Sequence, residues 1–206
     1  MTNETYNDIN KGATTIDWSL PPLRSGFRGL LDQAFGPGYT KVELRIQTLA
    51  PALAALSVPV IVAMAHVPWT IAQQIVAALL ALDGLGGVIT NSTSSGKRWF
   101  HRQTVRPRQH LMFASSHLAH FALVAWFFAD SNLLWFFGAA AYLLCAAPLV
   151  IFSPIHVQRA VSAALVAIGI TYSLLVLPQI QGMQWVLPVF YMKLLGAHLT
   201  REEPYR

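Results

Sequence analysis

Acidic residues are almost missing from the largest part of this 206-residue chain. Between Glu43 and Arg201 the sequence contains only two further acids, Asp83 and Asp130. A water-soluble domain needs charges of both signs on its surface, so this scarcity excludes an ordinary soluble fold for the segment. Hydrophobic residues make up 54% of the chain and charged residues only 11%, a balance typical of an integral membrane protein.

Cysteine is nearly absent as well, since Cys145 is the only one in the chain. A single cysteine excludes an internal disulfide framework and a zinc site made of cysteines alone. The first 26 residues also lack the charged start and apolar core of a cleavable secretory signal. We therefore expect the first hydrophobic span to act as the insertion signal.

Six apolar segments fill most of the chain, and each is close to the roughly 20 residues that cross a hydrocarbon layer about 30 Å thick. The predicted spans are residues 44–65, 69–91, 111–129, 133–152, 157–177 and 183–199. The sequence thus predicts an all-α integral membrane fold, a six-transmembrane-helix bundle occupying residues 43–200. Residues 1–25 and 201–206 are polar and are predicted to be cytoplasmic tails.

Residues 26–42 form an amphipathic segment between the first tail and the first span. Its hydrophobic side chains fall on one helical face and its polar side chains on the other: Phe27, Leu30, Leu31 and Phe35 against Arg28, Asp32 and Gln33. Two arrangements are open at this point. The helix either lies flat on the membrane surface or packs as a soluble lid on the loops.

Nearly all basic residues lie in segments that are predicted to be on one side of the membrane. Thirteen of the fourteen lysines and arginines lie in the N-terminal segment, the second loop, the fourth loop and the C-terminus. The intervening loops have none, so the positive-inside rule places both termini in the cytoplasm. We expect the protein to lie in the plasma (inner) membrane. The fourteenth basic residue, Lys193, lies inside the sixth predicted span.

Four ionisable residues are predicted to share one layer within the membrane: Asp83, His117, His120 and Lys193. An ionisable group at this depth costs about 2.5 to 3.5 kcal/mol on insertion scales, which favours a functional reason for each. We predict that these four residues form a catalytic group. The alternatives are a structural Asp83–Lys193 pair, a Lys193 side chain that extends to the interface, and histidines that bond Ser115 and Ser116.

A second set of polar residues is predicted to bind the polar end of a substrate. Asp83, Gly87, Thr90 and Ser94 recur on one helical face and lead into a loop that is rich in hydroxyls and basic residues. The candidate binding residues are Asn91, Ser94, Lys97, Arg98 and Ser116. Such a loop suits phosphate or other anionic groups, although topology signals and attraction to acidic lipids explain the charges equally well.

The predicted site needs no cofactor. His117, His120 and Asp83 nevertheless match the ligand count of a catalytic zinc ion with water as the fourth ligand, so a zinc site is the open alternative.

These features predict an integral-membrane enzyme that acts on a lipid or isoprenoid-like amphiphile by acid/base chemistry. The expected partners are membrane lipids and a lipid-like substrate, with no nucleic acid. The competing hypothesis is a non-enzymatic membrane subunit or small transporter, in which the same buried residues form an ion pair or a proton path.

Overall fold

The computed structural model describes residues 15–204, and within that range it contains helices and no β-strand. The helices are α1 (Gly26–Phe35), α2 (Lys41–Met64), α3 (Ile71–Ser92), α4 (Ser94–Phe100), α5 (Pro107–Ser116), α6 (Leu118–Phe128), α7 (Leu133–Ile151), α8 (Ile155–Leu175) and α9 (Val186–Tyr191). A π-helical segment, Met192–His198, continues α9. The predicted all-helical class is confirmed.

Five of these elements are long and apolar enough to cross a membrane: α2, α3, α5 together with α6, α7 and α8. They contain 19 to 24 residues each, which corresponds to lengths of about 29 to 36 Å at 1.5 Å per residue. The first five predicted spans match them with ends that differ by a few residues. The chain therefore has the architecture of a multi-pass membrane protein.

The sixth predicted span, residues 183–199, is different in the structure. The helical part is Val186–His198, about 20 Å long and too short to cross a 30 Å layer by itself. It lies against α3 and α8, and Phe190, Tyr191, Leu194 and Leu195 are completely buried. We call this element, Val186–His198, the central helix, because protein surrounds it. The outer helices, by contrast, expose their apolar faces.

The exposed apolar face of α2 shows what surrounds the bundle. Leu49, Leu53, Leu56 and Val60 are exposed and follow one another at intervals of three and four residues. A continuous apolar stripe of this kind on the outside of a helix suits contact with lipid rather than with water.

Helix α1 buries one of its polar residues, Asp32, while Arg28 and Gln33 are exposed. Asp32 is buried and accepts hydrogen bonds from the Arg24 backbone N–H (2.9 Å) and Nε (3.0 Å). Phe27 and Leu30 on the opposite face are 74% and 63% exposed. Arg24 also holds the pKa of the Asp32 carboxyl below its usual value.

The two ends of the described chain meet. The Asp17 backbone N–H donates to the Pro204 carbonyl at 2.8 Å, and the Arg201 guanidinium lies 4.9 Å from the centre of the Trp18 ring. Residues 15–24 contain no helix, and residues 1–14 of the predicted tail lie outside the described residues. The N-terminal segment and the C-terminal tail therefore lie at the same end of the bundle.

Candidate functional site

The four ionisable residues predicted within the membrane meet around one carboxylate oxygen. Lys193 Nζ donates to Asp83 Oδ2 at 2.6 Å, His120 Nε2 lies 3.3 Å from the same oxygen, and His117 Nε2 lies 3.9 Å from it. Lys193 is 2% exposed, whereas the Asp83 side chain is 42% exposed. The structure thus brings together three helical elements and leaves the carboxylate accessible.

A tight turn between α5 and α6, which together form the third long apolar element, presents the two histidines. His117 separates α5 from α6, and its backbone N–H bonds the Ala114 carbonyl three residues back, at 3.2 Å. His117 Nδ1 lies 2.8 Å from the Phe113 carbonyl, which requires the proton to be on Nδ1 and leaves Nε2 as the atom facing Asp83. The His120 ring stacks on that of His117 with centroids 5.0 Å apart.

Glycines on α3 make room for Lys193. A Cβ atom at position 87 would overlap the side-chain carbons of Lys193, and a Cβ at position 84 would lie 2.9 Å from Val189 Cγ1. The absence of both side chains lets the central helix approach α3 closely. Gly84 and Gly87 therefore position the lysine that holds Asp83.

We expect Gly87→Ala to lower the free energy of unfolding by about 1 to 3 kcal/mol, because the added methyl group pushes the Lys193 side chain away from Asp83. Gly86→Ala is the matched control, since a Cβ there would meet Pro51 Cγ at an ordinary 3.4 Å. Denaturant titration of both variants in the same detergent measures the difference. Equal stabilities would show that α3 and the central helix do not pack as described.

A cavity of about 600 Å³ opens beside the carboxylate, between α2 and α3, with the end of α1 at its rim. Among residues 15–204, Asp83 and Lys193 are the only charged residues in its wall, and they are paired. Gln47, Thr90 and Asn91 supply polar groups to the wall. A bound molecule would therefore find the Asp83 carboxylate at an otherwise uncharged surface.

Two of the predicted binding residues, Lys97 and Arg98, do not line this cavity. Both are 2% exposed on the short helix α4. Lys97 Nζ donates to the carbonyls of Ala197 and Thr200, the latter at 2.6 Å, and lies 3.7 Å from the Glu202 carboxylate. Burial lowers the pKa of Lys97 to about 8, although Glu202 acts in the opposite direction. Lys97 thus caps the end of the central helix.

The other three predicted binding residues have separate positions. Helix α3 ends at Ser92, and Thr93 caps α4 by accepting a hydrogen bond from the Gly96 N–H. Ser94 therefore no longer lies on the helical face that carries Asp83. Ser116 is exposed, and its hydroxyl donates to the Phe113 carbonyl. Of the predicted binding residues, the structure brings only Asn91 to the cavity.

Asn91 joins the cavity to a second histidine cluster. Its Nδ2 donates to the Gly87 carbonyl at 2.7 Å, and its Oδ1 lies 2.9 Å from His198 Nδ1. His198 Nε2 in turn lies 3.1 Å from His110 Nδ1, and His101 Nε2 lies 2.9 Å from the His198 carbonyl. Burial, followed by His110 and Lys97, lowers the pKa of His101 to about 3, so this imidazole is neutral at pH 7.

Ideal α-helical geometry turns His198 about 140° away from Lys193, so the sequence alone gives no reason to place it in the site. The π-helical segment reduces this angle, since its hydrogen bonds run from i to i+5 and its wider turn brings residues five apart closer to one face. The Leu199 N–H bonds the Leu194 carbonyl in this way at 2.9 Å. Both Lys193 and His198 consequently face α3.

Gln47 is the other residue that sequence reasoning did not select. It is 3% exposed and lines the cavity from α2. In the sequence it lies near the polar start of the first span, close to Arg45 and Thr48, so the hydropathy pattern alone gives no reason to choose it.

Asp83, His117 and His120 could also hold a metal ion, because one ligand atom from each lies within 4.8 Å of the others. The neutral Nε2 atoms and the carboxylate are suitable donors for zinc. However, the Lys193 ammonium already contacts Asp83 Oδ2, and a dication at that position would meet its positive charge.

Comparison with family models, with curated proteins and with solved structures finds no match to the chain.

Proposed function

We propose that the protein is an integral-membrane enzyme that acts on a lipid or isoprenoid-like amphiphile by acid/base chemistry. The observation that carries this proposal is the Asp83 carboxylate, held by a buried lysine, flanked by two imidazoles and exposed to a cavity of about 600 Å³. A carboxylate that is paired with a buried cation at the wall of a cavity is characteristic of functional sites.

In this mechanism Asp83 takes a proton from the bound substrate or returns one to it. Lys193 keeps the carboxylate in place by donating to Oδ2. His120, with Nε2 3.3 Å from that oxygen, exchanges the proton with Asp83, and His117 lies behind it with its Nδ1 proton on the Phe113 carbonyl. Such positioned proton transfers accelerate reactions by about 10² to 10⁴-fold.

The proposed topology has six crossings, with both termini in the cytoplasm and the protein in the plasma membrane. The Asp17–Pro204 hydrogen bond supports an even number of crossings, because it joins the two ends of the chain at one end of the bundle. The second loop reaches the same end, since Lys97 contacts Thr200. Basic residues concentrated there favour the cytoplasmic side.

We propose that the reaction needs no metal, because Lys193 is a cation at the position where zinc would bind. The purified protein should therefore contain well below one zinc ion per chain, and a chelator should leave its activity unchanged. Lys193→Met should raise the zinc content toward one per chain, because it frees the carboxylate for Asp83, His117 and His120 ligation. Lys193→Met combined with His120→Gln is the matched control. A full zinc complement in the unmodified protein would contradict the metal-free mechanism.

Lipid profiles of cells with and without the protein test the function directly. We expect one amphiphile to accumulate and a related one to disappear when the protein is absent, and the unmodified gene should reverse both changes. An unchanged lipid profile, together with loss of a complex with another membrane protein, would instead support the subunit hypothesis.

A further inference from the structure

One polar group in the cavity wall has hydrogen-bonding capacity that the described residues do not use. Neither Nε2 nor Oε1 of the buried Gln47 amide has a hydrogen-bond partner among residues 15–204. Its neighbours in the wall are satisfied: the Thr48 hydroxyl donates to the Leu44 carbonyl at 2.7 Å, and the Asn91 amide is used at both ends.

Buried polar groups in proteins are nearly always hydrogen-bonded, so an unpaired amide at a cavity indicates a partner that enters from the cavity. A glutamine amide offers two N–H donors and one carbonyl acceptor. Its terminal torsion is soft, so it can present either end to a bound molecule. A hydroxyl group is complementary to it, because a hydroxyl both donates and accepts.

The charge of the cavity excludes an anionic head group. Its two charged residues, Asp83 and Lys193, neutralise each other at 2.6 Å. Lys97 and Arg98, the residues expected to bind an anion, lie outside the wall. Since no unpaired cation of the described part of the chain lines the wall, a phosphate here would lack a compensating charge, which is strongly unfavourable.

We propose that the cavity binds an amphiphile with an uncharged, hydroxyl-bearing head group, and that the Gln47 amide recognises this hydroxyl. The inference rests on the proposed function in that the bound amphiphile is taken to be the substrate. Gln47 thereby determines specificity for the head group, while Asp83 carries out the proton transfer.

Two probes with the same hydrocarbon chain and different head groups test the proposal: farnesol and farnesyl monophosphate. Their equilibrium binding is measured on the full-length protein in phosphatidylcholine nanodiscs. We expect farnesol to bind at least about tenfold more tightly than the phosphate, and Gln47→Met to weaken farnesol binding about tenfold without changing phosphate binding. Ser92→Ala is the matched control, since the Ser92 hydroxyl bonds the Val88 carbonyl of its own helix outside the cavity wall, and it should leave both affinities unchanged.

A stability measurement separates recognition from a purely structural role. Gln47→Met has a similar shape and removes two unsatisfied polar groups, so the melting temperature of the empty protein should stay the same or rise. Equal or tighter phosphate binding, unchanged farnesol binding by Gln47→Met, or a lower melting temperature of that variant would each overturn the proposal.

The inference and the proposed function can fail separately. If Gln47→Met loses farnesol while Asp83 substitution leaves cellular lipids unchanged, the binding site stands and the catalytic function is wrong. If Asp83 substitution abolishes the lipid change while Gln47→Met binds farnesol normally, the function stands and the inference is wrong.

Discussion

Asp83→Asn should lower the free energy of unfolding by about 3 to 5 kcal/mol, because it leaves the buried Lys193 ammonium without a counter-charge. The double variant Asp83→Asn with Lys193→Met should recover much of this loss, because the stranded cation is then absent. Lys193→Met alone should cost less, since the remaining carboxylate is partly exposed to the cavity. Denaturant titration of the unmodified protein, the two single variants and the double variant in one detergent completes the double-mutant cycle.

Asp130→Asn is the matched control for the loss of one acidic charge. Asp130 is exposed in the turn before α7 and has a φ of +47°, a conformation that asparagine tolerates well. Its effect should stay within about 0.5 kcal/mol. Additive effects at positions 83 and 193 would contradict the ion pair and would restore the hypothesis that Lys193 extends to the membrane interface.

The second prediction concerns turnover of the amphiphile whose level changes in the lipid profile. The double variant Asp83→Asn with Lys193→Met keeps the cavity neutral but has no carboxylate, so its turnover should fall by about 10² to 10⁴-fold. His120→Gln should cause a loss in the same range, and His117→Gln a smaller one because its Nε2 lies farther from Asp83 Oδ2, at 3.9 Å.

Ser116→Ala serves as the control for this series, since the Ser116 hydroxyl bonds its own helix and lies outside the cavity wall. Its turnover should equal that of the unmodified protein. Initial rates with the purified protein in nanodiscs separate the chemical step from binding. Turnover within a few-fold of normal in the double variant would exclude Asp83 as the acid/base group.

Lys97 shows how tertiary contacts reassign a residue that the sequence pattern places in a binding loop. Its position beside Arg98 in a hydroxyl-rich loop predicts contact with an anion, yet its ammonium bonds the last carbonyls of the central helix. The sequence shows that this residue is charged but not which buried carbonyls its ammonium group contacts.

The hydropathy pattern by itself determined the five long helices, because any segment that crosses lipid must satisfy its backbone internally and remain apolar for about 20 residues. It also selected Asp83, His117, His120 and Lys193, because ionisable groups are costly at that depth wherever they point. Both conclusions depend only on local composition and on the solvent, so they follow from the sequence without knowledge of neighbouring helices.

Only the tertiary structure decided which groups meet. The π-helical segment places His198 beside Asn91. The helix break at Thr93 moves Ser94 away from the helical face of Asp83. Packing leaves the Gln47 amide without a hydrogen-bond partner among residues 15–204. Each depends on contacts between segments far apart in the chain, and a change of helix type rotates every later side chain. Hydrophobic periodicity does not encode that rotation, because apolar residues occur around most of the central helix and no single apolar face fixes its orientation.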